Sequence, residues 1–137
     1  MKTLKITVAI YIIAMLLTAC GASGASDQSA SLDGTSWVLT VFNKNQPMAG
    51  REPTISFEDG QASGTTGCNS YGGGYQLNGD KISFDAMFMT EMFCEDVAEQ
   101  ESIYLQLLGQ AERYEVVDGV LTIFCGPQQT LTFVPAE

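Results

Sequence analysis

The chain has 137 residues, 45% of them apolar, with a formal net charge of −10 and a pI near 4.1. This size and composition fit one globular domain and exclude a disordered chain. Four lysines, two arginines and no basic run argue against phosphate-backbone recognition, so no nucleic-acid partner is expected. The absence of histidine removes Ser-His-Asp and Cys-His arrangements and the commonest metal ligand.

Residues 1–19, MKTLKITVAIYIIAMLLTA, read as a lipoprotein signal peptide. Lys2 and Lys5 form a positive n-region, and Ile6 to Leu17 an apolar stretch shorter than the ~18 residues of a spanning helix. Leu17-Thr18-Ala19-Cys20 looks like a bacterial lipobox, in which the cysteine is acylated and the chain is cut before it. Cys20 is therefore the expected lipidation site, and the membrane the expected partner, because two or more acyl chains anchor firmly. Residue 21 is Gly rather than Asp. By the sorting rule for such lipoproteins this implies the outer membrane in a Gram-negative host, and otherwise the outer face of the cytoplasmic membrane. Residues 20–31 form a small-residue, polar tether, and the folded domain is expected over residues 32–137.

TSWVLTVFN reads as a strand with Trp37, Leu39 and Val41 on one face. PTISFEDG alternates Ile55 and Phe57 with polar residues and stops at a turn. QASGTTGCN reads as a strand entering a glycine-rich loop, GTTGCNSYGGGY. GYQLNGDKISF is a hairpin in which Asn78-Gly79 suits a type I′ turn. After Cys94 the period changes: Val97, Ile103, Tyr104, Leu107 and Leu108 predict a helix over about residues 95–108, with Glu95 and Asp96 in its first turn and Gly109 as its stop. RYEVVDGVLTIFCGPQQTLTFV returns to strands, with turns at Asp118-Gly119 and Gly126-Pro127. The class is α+β: a small antiparallel sheet, curled or closed like a barrel because its edges must be managed, with one packed helix.

GTTGCNSYGGGY, then MTEMFC, then a Glu-bearing helix and a closing LTIF…TLTF hairpin together resemble the META domain, the HslJ-like family of small bacterial envelope proteins. The resemblance covers Leu32 to Val134. It is carried by Gly67-Cys68-Asn69 with Tyr71 and Tyr75, by Thr90-x-Met92-x-Cys94, by Leu32-x-Gly34-Thr35-x-Trp37, and by Glu101 followed by Leu108 and Tyr114. It implies a small β-barrel-like fold with one packed helix. It also implies association with envelope stress and drug tolerance, in some members with motility or secretion, and no catalytic activity common to the family.

Lipidation of Cys20 would leave Cys68, Cys94 and Cys125, and three thiols allow three single pairings in an oxidising space. The resemblance implies Cys68–Cys94, which sit in the two shared motifs. A redox-active pair is the rival reading, but there is no Cys-x-x-Cys and no nearby Lys or Arg. Cys125, in phase with Leu121 and Ile123, points to the core as a small hydrophobe. No metal site and no cofactor are expected: three scattered cysteines without histidine lack zinc spacing, and the glycines lack the Walker lysine. The glycines are expected to serve turns and close backbone approach, with Asn69 fixing the local turn.

Glu91, Glu95, Asp96, Glu99 and Glu101 match no EF-hand spacing. Glu101 is expected to accept a buried hydrogen bond from backbone near Thr90 or Asn69. The resulting expectation is a non-enzymatic, lipid-anchored domain on the extracytoplasmic side, with a binding or envelope-maintenance and stress-tolerance role toward an unknown envelope protein or ligand. Its alternatives are a thiol-based envelope redox enzyme, and a small-ligand carrier with a pocket lined by Trp37, Phe57 or Phe84.

Overall fold

The computed structural model describes residues 31–137. The signal peptide, Cys20 and the tether up to residue 30 lie outside the described residues. Among the described residues, eight strands and one helix follow in chain order: β1 (Thr35–Phe42), β2 (Thr54–Glu58), β3 (Gln61–Thr65), β4 (Ser70–Asn78), β5 (Lys81–Met89), α1 (Ala98–Gly109), β6 (Arg113–Val117), β7 (Val120–Phe124) and β8 (Thr130–Pro135). Each strand lies beside its sequence neighbour, and β8 returns antiparallel to β1, so the sheet closes into a barrel. The expected α+β class, a curled sheet with one packed helix, is the observed one, and closure is how the sheet manages its edges.

Turn chemistry sets the hairpins. Asp59 (φ 49°) and Gly60 (φ 76°) join Glu58 to its partner Gln61, and Asp118 (φ 51°) and Gly119 (φ 76°) join Val117 to Val120. Both central residues are left-handed, as a type I′ turn requires. The β4–β5 turn differs from expectation. Asn78 pairs with Lys81, so the central residues are Gly79 and Asp80, and only Gly79 (φ 63°) is left-handed. That is the type II′ pattern, with glycine first.

In β1 the inward phase slips. Trp37 and Leu39 are buried, but the register with β8 shifts between Leu39 and Val41. The bulge turns Val41 partly outward and puts Phe42 into the core, so the expected in-phase Val41 is corrected. The glycine-rich stretch expected as a loop is mostly strand. Residues 70–78 are strand β4, and only 66–69 form the loop. Gly72 to Gly74 lie where β5 approaches closely: a Cβ at Gly73 would stand 2.5 Å from Met87 Sδ and 2.7 Å from Asp85 O.

Opposite these glycines the β4–β5 register shifts between Gly72 and Gly74, and the exposed Ala86 holds φ 47°. Left-handed backbone costs a residue with a Cβ roughly 1–2 kcal/mol. Ala86→Gly is therefore expected to stabilise by about 0.5 kcal/mol, once glycine's greater unfolded-chain entropy is set against the relief. A higher urea midpoint at unchanged slope is the expected result. A lower midpoint would mean that the bulge tolerates the alanine without strain.

Helix α1 begins three residues later than expected. Residues 95–97 form a turn, with Val97 N–H donating to Cys94 O at 3.2 Å, and the first helical bond runs from Glu101 N–H to Val97 O. Glu95 and Asp96 thus precede the helix, Glu99 and Glu101 occupy its first turn, and Gly109 is its last residue rather than its stop. Its inner face is Gln100, Tyr104, Leu107 and Leu108.

Leu39, Ile55, Phe57, Leu121, Ile123, Leu131 and Phe133 are all at most 1% exposed and form one core with Tyr104, Leu107 and Leu108 of α1. The three aromatics considered for a ligand pocket are used in packing. Trp37 is buried, with its indole N–H on Thr35 Oγ1 at 2.7 Å. Phe57 stands edge-on to Tyr75 at 4.9 Å between centroids, with Phe84 at 6.4 Å.

Candidate functional site

The β3–β4 loop, Thr66-Gly67-Cys68-Asn69, is the centre of the shared motif and lies under α1. Gly67 holds φ 95°, and a Cβ there would stand 2.2 Å from Arg51 O. Left-handed backbone and close approach both require glycine at this point. The Arg51 guanidinium donates to Gly67 O at 3.1 Å and pairs with Asp96 at 3.5 Å. Thr66 closes the turn: its N–H donates to Asn69 O at 2.8 Å, and its Oγ1 accepts from Asn69 N–H at 2.9 Å.

Asn69 is 1% exposed, and both ends of its amide are used. Nδ2 donates to both Glu101 carboxylate oxygens at 3.0 Å and to Met92 O at 3.0 Å. Oδ1 accepts from Thr90 Oγ1 and from Met92 N–H, each at 2.7 Å. Glu101 also accepts from Asn69 N–H at 3.3 Å and from the Thr66 hydroxyl. A carboxylate on α1 thus holds the loop, and the loop's asparagine holds residues 90–92. Cys68 and Cys94 are joined by a disulfide beside this network, with Cα atoms 5.9 Å apart, well within bridging range.

Of the residues expected to matter, Gly67, Cys68, Asn69, Thr90, Cys94 and Glu101 converge here. Glu101 meets Asn69 as expected but not Thr90, which joins only through Asn69. Met92 takes part by its backbone alone, since its side chain is 58% exposed. Tyr75 lies elsewhere: its ring packs on Phe57 and its hydroxyl donates to Asp33 at 3.3 Å. Glu91, Glu95, Asp96 and Glu99 are exposed, and among the described residues no group of three Cys, Asp or Glu is placed to hold a metal ion.

Sequence reasoning missed Gln100 and the Tyr71–Tyr104 pair. Gln100 is buried: Oε1 accepts from Met48 N–H at 2.8 Å, and Nε2 donates to Arg51 O at 2.8 Å. The signal was a polar residue inside the stripe 100, 104, 107, 108. Tyr71 donates to Thr54 O at 2.8 Å and shares a 2.7 Å hydroxyl bond with Tyr104. Burial pushes both phenols well above their ordinary range.

Cys125 is free and 1% exposed, just past the end of β7. Burial pushes its thiol up to about 12. The native protein should therefore resist iodoacetamide at pH 8, and the urea-unfolded protein should react, as read by mass. An unfolded thiol loses its proton near pH 8.5 and an unfolded phenol near 10, while the folded groups keep theirs. Stability from Cys125, Tyr71 and Tyr104 is complete below those values and falls as pH rises beyond them.

The geometry defines a class first: a small closed antiparallel barrel with one packed helix, whose shared motif is a disulfide and hydrogen-bond clasp. The sequence profile of the META domain matches residues 30–137, and the chain belongs to that family. The chain is similar to a protein from Burkholderia xenovorans solved by NMR, at 30% identity over 77% of this chain and 83% of that one, with a TM-score of 0.68. A second NMR structure matches at 24% identity, 75% and 90% coverage and a TM-score of 0.63. A crystal structure of a DUF4847 family protein from Bacteroides vulgatus shares the fold at 14% identity, 75% and 93% coverage and a TM-score of 0.57. No curated protein matches the chain significantly. Among the described residues no helix is long and apolar enough to cross a membrane.

Proposed function

We propose that this protein is a non-enzymatic META-type domain of the bacterial envelope, anchored through acylated Cys20, with a binding or envelope-maintenance role in stress tolerance. Membership of the META domain family supports an envelope-associated domain. The observation that carries the non-enzymatic reading is the saturation of the motif. Asn69 spends both ends of its amide on Glu101, Thr90 and residue 92, and Glu101 spends its carboxylate on Asn69 and Thr66. Cys68 and Cys94 are joined to each other. Residues so engaged hold a fold together and leave neither a free base nor a free nucleophile at the motif.

Non-reducing peptide mass mapping of the protein from its own membrane tests this reading. The expected result is a diacylglyceryl Cys20 at the new N-terminus, outer-membrane fractionation in a Gram-negative host, and a fully oxidised Cys68–Cys94 peptide. An unmodified residue 20 would remove the anchor. A mixed population of free and bridged Cys68 would replace the structural clasp with thiol chemistry.

A further inference from the structure

The barrel has a weak seam. β5 pairs with β4 from Lys81 to Met89, but it meets β6 only at Lys81↔Arg113. Ile82 N–H still reaches Glu112 O at 3.2 Å. Beyond it, no described strand lies against the outer edge of β5. Successive residues of an antiparallel strand turn their backbone groups to opposite sides. Those of Ile82 face β6, so those of Phe84 face the same open side. An unpaired strand edge is a template for another strand.

The side chains at this edge are also unusual. Phe88 is 69% exposed, Met89 43%, Met92 58% and Phe93 84%. Single exposed apolar residues are ordinary, but four large ones within six positions are not, and the pairings Gly72↔Phe88 and Tyr71↔Met89 put Phe88 and Met89 on opposite faces of β5 at its edge. Helix α1 touches β5, yet Asp85, Ala86, Phe88 and Met89 stay exposed. The surroundings are acidic: Glu91, Glu95 and Glu99 are exposed, and no lysine or arginine occurs between residues 82 and 112.

We propose that the open edge of β5, with Phe88, Met89, Met92 and Phe93, accepts an extended segment of a basic amphipathic partner protein as an added strand. This deepens, and rests on, the reading of the domain as a binding module. Apolar residues at every second position of the guest would lie on the face that carries Phe88, and lysines or arginines between them would meet the acids. Charge selects this occupant over a second copy of the chain. A β5–β5 pair would set Asp85 and Glu91 against the same acids of the other copy, and like charges across a sheet repel. The bulge at Ala86 further guards the edge against indiscriminate flat pairing, so charge and side-chain fit decide what binds.

The test uses the full chain, isotope-labelled, with three capped peptides: a Lys-Val repeat of eight residues, its Glu-Val counterpart, and the Lys-Val peptide with a central proline. The expected result is that the Lys-Val peptide alone shifts the amides of β5 and residues 88–93 and slows exchange of the Phe84 amide. The variant Met92→Ser with Phe93→Ser, altering two exposed side chains, should weaken that binding by roughly tenfold. Equal binding of the Glu-Val or the proline peptide, or shifts confined to other strands, would overturn the proposal. So would sedimentation showing that the free chain already dimerises through β5, since the occupant would then be a second copy. The mass of the Cys20 peptide is read independently, so an acylated protein that ignores the Lys-Val peptide would lose only the strand-acceptor assignment.

Discussion

Replacing Cys68 and Cys94 together by serine is expected to lower the unfolding free energy by about 3.5 kcal/mol. The bridge spans a sequence separation of 26, and closing a loop of that length removes this much entropy from the unfolded chain in the chain-entropy account. Domains of this size carry only about 5–15 kcal/mol in total, so the variant should melt roughly 15 °C lower. The loss should appear in the unfolded state as a larger urea slope, because an uncrosslinked chain exposes more surface. Reduction of the wild type should reproduce it. A loss below about 1 kcal/mol would show that the neighbouring hydrogen bonds already fix residues 68 and 94, and that the bridge serves some other end.

The parts of this fold that were legible are those governed by local physics. Asp118-Gly119 makes its turn because an aspartate and a glycine tolerate left-handed backbone. Ile55 and Phe57 face inward because period two puts them there. What failed to show depends on partners distant in sequence. Phe42 rather than Val41 enters the core because β8 sets the bulge in β1. Gly72 to Gly74 look like a loop in isolation, yet they are strand because β5 presses Phe88, Met87 and Asp85 against them. α1 starts at Ala98 because Cys94 is held by Cys68 and residues 95–97 must turn away first. The motif residues were readable through their resemblance to a family, but their wiring was not. Nothing in the spacing shows that Asn69 ties Glu101 to Thr90 and Met92, and Gln100 hid behind its charged neighbours Glu99 and Glu101.

Asn69→Ala is expected to cost about 3 kcal/mol, although it removes only a small side chain. The change leaves Met92 N–H and Met92 O without their side-chain partner and the Thr90 hydroxyl without its acceptor, though Thr90 Oγ1 still accepts from Ser70 N–H, and it takes from Glu101 the donor that meets both carboxylate oxygens. Hydrogen bonds to a charged group contribute roughly 1.5–3 kcal/mol, so Glu101→Ala should cost about 2 kcal/mol by itself. The two losses should not add. Glu101 and Asn69 belong to one network, and the double variant should fall short of the sum by about 1–2 kcal/mol. Urea unfolding of the four proteins in the cycle measures this coupling. Additive losses would mean that the two residues stabilise the fold separately and that the clasp is two contacts rather than one unit. A local readout separates clasp from bulk stability. The Met92 amide donates to Asn69 Oδ1, so its hydrogen exchange should quicken far more in Asn69→Ala than that of amides in β7, which are remote from the network. The same opening would unfix residues 90–93, including the exposed Met92 and Phe93. In Asn69→Ala the apolar surface beside β5 would therefore lose its preorganisation, and peptide affinity would fall without any substitution of the residues that touch the peptide.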